Sequence, residues 1–219
     1  MSKRSPETTM HKKMTKWALL TACVTAAGTA SAQFYAGAQG GWATGGPDGG
    51  EISNELVNNL GFFSASTSVD KGDGAWRVFG GYQILPWLAV EGAYVDVGKT
   101  SFHSTVQPPG TLDVSLTTTA WTLGVAARYE FVPKLFGYGR ISAAWTETKS
   151  SVSGSGFVEP AGSPKSRRTV PAYAAGIEYL FAPQWAVRVE YEGMSGVSSD
   201  ELGGKFDTNM FSAGVRYNF

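Results

Sequence analysis

The sequence has no run of about 18 consecutive apolar residues, the minimum for a helix that crosses a bilayer. It holds one cysteine in 219 residues. That residue, Cys23, lies in an amino-terminal stretch that reads as removable, so a disulfide framework is excluded as the source of stability. Charged residues are only 16%, and the two signs balance at 18 each. A balanced chain of this kind offers no electrostatic footprint for nucleic acid. Histidine is nearly missing: past the amino-terminal stretch only His103 is left, so metal binding and histidine-based catalysis have little to build on. What is abundant is glycine, at 28 residues, and aromatics, at 13%.

The first residues do not read as fold. A basic start (Lys3, Arg4, Lys12, Lys13, Lys16) precedes an apolar run from Trp17 to Ala27. Ala30-Ser31-Ala32 then supplies small residues before Gln33. This is the secretory signal pattern, with cleavage expected between Ala32 and Gln33. Met10 and Met14 are alternative starts. Leu20-Thr21-Ala22-Cys23 resembles a lipoprotein processing site, but the apolar run before Cys23 is shorter than a signal core. Residues 1–32 are therefore read as a signal peptide and 33–219 as one domain. Removing the leader takes away five basic residues and one acid, Glu7, and leaves a mildly acidic chain.

Strict alternation runs through nearly all of the remainder. "WTLGVAARYEF" sets Trp121, Leu123, Val125, Ala127, Tyr129 and Phe131 against Thr122, Gly124, Ala126, Arg128 and Glu130. "FYAGAQGGW", "WRVFGGYQI", "YAAGIEY", "VRVEY" and "FSAGVRYNF" alternate in the same way. A period of two marks strands with unlike faces. The pattern predicts eight strands, at about 33–43, 75–84, 87–96, 117–131, 135–146, 170–181, 185–192 and 208–219. Proline-bearing turns at 85–86, 132–134 and 182–184 alternate with long polar connections at 44–74, 97–116, 147–169 and 193–207.

A β-sandwich or a soluble eight-stranded barrel also alternates, with the apolar face inward. Here the aromatics sit at the two ends of each apolar face: Phe34 and Trp42, Tyr82 and Trp76, Trp87 and Tyr94, Phe131 and Trp121, Tyr179 and Tyr173, Phe219 and Phe211. Ala, Val, Leu, Ile and Gly fill the interval. Two aromatic girdles around an apolar band are the mark of a transmembrane β-barrel. The opposite face carries charges on strand after strand, which a soluble core would not accept. The fold class predicted is all-β: an eight-stranded antiparallel up-and-down transmembrane β-barrel after a cleaved signal peptide.

"VFGGYQILPWLAVEGAY" and "AYAAGIEYLFAPQWAVRVEY" resemble strands two to three and six to seven of the small outer-membrane barrels of the OmpA/OmpX type. "FYAGAQGGW" and "FSAGVRYNF" resemble that family's first and last strands. The resemblance implies the bacterial outer membrane, with outer-membrane lipid and lipopolysaccharide as surroundings. It implies delivery by periplasmic chaperones to the barrel-assembly machinery, which would read Val215, Tyr217 and Phe219. A monomer is expected, with no cofactor and no nucleic acid. Some members continue into a peptidoglycan-binding domain; this sequence shows no such continuation, so anchoring to peptidoglycan is not expected.

The inward face predicts a charged interior of Glu91, Arg128, Glu130, Arg140, Glu178, Arg188 and Glu190, with Arg77 and Arg216 on the same side. Charges in a narrow lumen must pair, because isolated ones cost several kcal/mol each. The resemblance places Glu91, Arg140, Glu178, Arg188 and Glu190 at matching positions of such a network. The expected role is a structural barrel, plugged by these charges, whose long loops contact an unidentified external ligand in adhesion or reception. A small-solute channel and a lipid A-modifying enzyme are the alternatives. For the enzyme, His103 and Ser104 are adjacent and would face opposite ways in a strand, so no catalysis is expected. "VDKGDG" (Val69–Gly74) has too few oxygen ligands for a calcium loop. "PKSRR" (Pro164–Arg168) reads as a membrane-proximal patch facing anionic lipopolysaccharide.

Overall fold

The computed structural model describes residues 34–45, 58, 64–70, 72–107, 110–156, 165–198 and 205–219. The expected signal peptide and its cleavage residues Ala30, Ala32 and Gln33 lie outside them. Among the described residues nine strands form: β1 (Phe34–Gly45), β2 (Ser64–Asp70), β3 (Gly72–Leu85), β4 (Leu88–Gln107), β5 (Gly110–Val132), β6 (Leu135–Gly156), β7 (Lys165–Leu180), β8 (Trp185–Ser198) and β9 (Lys205–Asn218). Each pairs antiparallel with its neighbours, and β1 pairs with β9, so the sheet closes on itself. Closure satisfies the strand edges, which an open sheet in lipid could not do.

The ninth strand does not widen the ring. β3 pairs with β4 over Leu88–Asp96, and β2 pairs with the same edge of β4 over Ser101–Gln107. The two lie end to end, so the barrel has eight staves, as the alternation predicts. The strand lengths depart from expectation. Composition assigns residues 97–107, 110–116 and 147–156 to connections, yet they continue the β4, β5 and β6 ladders. Their Thr, Ser and Val suit a pleated surface even without a buried face. From Tyr94 to Gln107 the β4 stave runs 14 residues, roughly 43 Å at about 3.3 Å per step.

The short turns sit at one end of the ring. In the β5–β6 turn Lys134 adopts φ of 69°, a conformation rare outside glycine. The Glu130 carboxylate accepts the Lys134 backbone N–H at 2.8 Å and steadies that turn.

The molecule is inside-out by the standard of a water-soluble protein. Trp42 is 71% exposed and Ile141 72%, while Arg77 and Glu91 are each 1% exposed. The outward aromatics form two belts. At the long-loop end Trp76, Tyr94 and Trp121 touch in sequence, with ring centroids 5.5 and 5.0 Å apart. At the short-turn end Phe34 meets Tyr82 at 4.7 Å, and Tyr217 meets Trp185 and Phe219 at 4.9 and 5.0 Å. Such a continuous apolar surface is far larger than a soluble monomer exposes.

Candidate functional site

The interior holds two layers, set by the residues whose parity points inward. Toward the short turns lies a charged layer of four arginines and four glutamates: Arg77, Arg140, Arg188 and Arg216 with Glu91, Glu178, Glu190 and Glu192. Toward the long loops lies an apolar layer of Ala43, Ala75, Val95, Ala120, Ala144, Val170, Ala172, Met194, Val197 and Met210.

In the charged layer each carboxylate serves several donors. Glu91 Oε1 accepts from Arg77 and Arg140, both at 2.6 Å. Its Oε2 accepts from Arg188 at 3.0 Å and from the Tyr35 hydroxyl at 2.9 Å. Glu190 takes Arg77, Arg140 at 2.8 Å and the Tyr138 hydroxyl. Glu192 takes Arg77 at 3.2 Å and Arg140 at 3.1 Å. Glu178 takes Arg188 at 3.0 Å and Arg216 at 2.8 Å. The layer is therefore neutral and cross-linked. Burying an ion without such partners costs several kcal/mol, so the balance of charge and donors is what makes the layer tolerable.

Aromatic rings hold the guanidinium groups in place. Arg188 lies 4.4 Å from the Tyr138 ring centroid and 4.6 Å from that of Phe79; Arg216 lies 4.2 Å from Tyr35. Contacts of this kind gain strength when water is excluded. Space for the rings comes from glycine on the adjoining strands. A Cβ on Gly81 would stand 2.3 Å from the Tyr35 ring, and one on Gly176 would stand 2.7 Å from Tyr138.

Five of the seven interior residues expected from sequence meet in this layer: Glu91, Arg140, Glu178, Arg188 and Glu190. Arg77 and Arg216 join them. Arg128 stands at the mouth, half-buried. Its Nη1 is 3.6 Å from Glu178, its Nε donates to the Pro86 carbonyl at 3.2 Å, and its guanidinium covers Phe136. Glu130 is a correction: its parity is inward, but it sits exposed past the end of the lumen, spent on the Lys134 turn. Glu192 and the two tyrosines are additions to the expected set. Glu192 shares the parity of Arg188 and Glu190, so its signal lies in the same alternation, one step beyond the last residues counted.

His103 has an acid beside it that sequence proximity does not show. β4 pairs His103 with Asp113 of β5, and Nδ1 lies 2.6 Å from Oδ1. The pair is exposed on the extended hairpin, while Ser104 faces the other way, buried, with its Oγ 2.9 Å from that of Thr67. No cluster able to hold a metal occurs among the described residues.

A family model described as the OmpA-like transmembrane domain matches residues 29–219. Outer membrane protein A of Escherichia coli O157:H7 is 28% identical over 189 residues, 85% of this chain and 47% of that protein. Outer membrane protein P5 of Haemophilus influenzae is 28% identical over 226 residues, 94% of this chain and 60% of that one. The chain thus spans about half the length of such relatives. Among solved structures, OprG of Pseudomonas aeruginosa superposes with a TM-score of 0.54 at 14% identity, covering 86% of this chain and 96% of that one. Neisserial surface protein A superposes with a TM-score of 0.52 at 12% identity, covering 85% and 97%.

Proposed function

The chain belongs to the OmpA-like transmembrane domain family of bacterial outer-membrane β-barrels, and from that premise we propose a structural barrel with a closed lumen and rigid outer staves that make contacts outside the cell. The observation that carries the closed lumen is the stacking of a neutral charged layer on an apolar one. Among the described residues, two internal cavities, one toward each end, measure about 20 Å³ each, room for little more than a water molecule. An apolar ring gives an ion no ligands, so rearranging the charged layer alone would not open a path.

The outer contacts are assigned to the extended β2 and β4–β6 staves, which present a hydrogen-bonded, Ser- and Thr-rich sheet. That sheet pairs mostly with itself past the aromatic belt, so its removal is separable from the barrel. Replacing residues 100–115 by a two-residue turn is expected to leave the heat-modifiable gel shift unchanged and to abolish adhesion of expressing cells to host surfaces. Unchanged adhesion would assign the contacts elsewhere.

Assembly is proposed to use the outward residues of β9. Val215 and Phe219 are exposed, Tyr217 is half-buried between Trp185 and Phe219, and the Phe219 N–H donates to Phe34 at 3.0 Å. Deleting Phe219 is expected to lower the outer-membrane level in cells severalfold while leaving refolding in detergent nearly intact. Equal loss in both would make it a packing residue only.

A further inference from the structure

The charged interior holds one cation more than it has acids. Four buried arginines cancel four buried glutamates, and Arg128 at the mouth is a ninth charge. The excess is not spread evenly. Deep in the layer Arg77 and Arg140 meet three carboxylates, those of Glu91, Glu190 and Glu192. Toward the short turns Arg128, Arg188 and Arg216 meet one, that of Glu178. Arg188 links the two halves through Glu91 at 3.0 Å. The mouth half is therefore the electropositive one.

Glu178 cannot serve three cations equally. It lies 3.0 Å from Arg188 and 2.8 Å from Arg216, and Arg128 Nη1 stands off at 3.6 Å. Arg128 Nε donates to the Pro86 carbonyl at 3.2 Å, and its Nη2 makes no hydrogen bond among the described residues. Arg188 and Arg216 lie 6.0 and 4.2 Å from the centroid of the same Tyr35 ring. Two like charges are thus held close together, and their repulsion grows as water is excluded.

The other charges at this end do not answer the excess. Glu130 is on the β5–β6 turn, accepting the Lys134 N–H, and Lys134 adds a further cation there. The turns at 86–87 and 181–184 carry no charged residue. The Phe219 carboxylate forms no ion pair among the described residues. A cavity of about 20 Å³ lies against all three arginines, with Tyr35, Phe136 and Tyr138 also on its wall, and it reaches Gln83 and Trp87 at the short-turn end. In outer-membrane barrels that end faces the periplasm. Such a space admits one water molecule or one compact ion. Guanidinium N–H groups make their strongest hydrogen bonds to anions.

We propose that this mouth is a binding site for one compact monovalent anion, a halide or a carboxylate of formate size, held by Arg128, Arg188 and Arg216. The bound anion brings the interior charge to zero and screens Arg188 from Arg216. The site lies on the short-turn side of the charged layer, so filling it requires no path through the apolar layer.

The test is a titration of the refolded full chain in detergent micelles, followed by the arginine Nε–H resonances in nuclear magnetic resonance spectra. Sodium formate and sodium chloride are the probes. Sodium gluconate, too bulky for the cavity, holds the ionic strength constant. Formate is expected to give saturable shifts at Arg128, Arg188 and Arg216 and much smaller ones at Arg77 and Arg140. Chloride is expected to compete for the same resonances. Arg128→Gln is expected to weaken formate binding about tenfold, the order for losing one hydrogen bond to a charged group. Lys134→Gln is expected to leave it unchanged. The heat-modifiable gel shift reports folding of each variant. Unchanged affinity in folded Arg128→Gln overturns the site, as does chloride failing to compete with formate. Should Arg128→Gln fail to fold, wild type decides: shifts that do not saturate, or that Arg77 and Arg140 share equally, overturn it.

Discussion

Arg188→Ala is expected to lower the unfolding free energy of the barrel by about 3–5 kcal/mol, the range for removing one partner of a buried ion pair. Arg188 bridges the two halves of the charged layer, donating to Glu91 on one side and Glu178 on the other. Truncation leaves both carboxylates short of a donor. It also removes a guanidinium packed on Tyr138 and Phe79. Glu91→Ala is expected to cost a similar amount, because it takes one carboxylate from Arg77, Arg140 and Arg188 at once and leaves the layer with an excess of positive charge. The double variant is expected to cost less than the sum, since one loss has already unmade the shared bond. Coupling between contacting residues typically reaches about 0.5–3 kcal/mol. Urea unfolding in detergent, followed by the heat-modifiable gel shift, measures the cycle. Additivity within error would mean that the two do not act on one another.

Ala144→Glu is expected to be at least as damaging, for the opposite reason. Ala144 is fully buried in the apolar layer, among residues such as Ala120 and Val170. A carboxylate there lies among alanine, valine and methionine with no arginine in the layer, and an unpaired buried ion costs several kcal/mol. Ala144→Leu controls for volume, because overpacking alone costs about 1–3 kcal/mol. The glutamate variant is expected to lose substantially more stability than the leucine variant in the same urea assay. In a water-filled lumen the order would reverse, with glutamate the better tolerated.

Much of this arrangement is legible in the primary structure, and the reason is the period of two. Alternation assigns each residue to one wall of the barrel, so the belts formed by Trp42, Trp76 and Trp121 can be read directly, as can the inward Glu91, Arg140 and Arg188. What alternation does not carry is height along the barrel axis. Arg128 and Glu130 share the inward parity, yet one lies at the mouth and the other beyond it. Height depends on the stagger between staves, a property of the closed ring and of bulges such as that at Gly98. The choice of partner has the same origin: Arg77 of β3 meets Glu190 of β8 across the lumen, 113 positions apart in sequence. The extended staves are hidden for a different reason. Residues such as Thr105 and Ser115 read as loop by composition, and only their pairing across the hairpin makes them strand.

The measurement that bears most directly on the closed lumen is single-channel recording in planar bilayers, comparing wild type with Arg188→Ala and Arg188→Ala/Glu91→Ala. All three are expected to be silent at moderate voltage, because the apolar layer from Ala43 to Met210 persists when the charged layer is damaged. Discrete ion-selective openings in wild type, or openings that appear in Arg188→Ala without loss of stability, would contradict a plug and make the charged layer a gate.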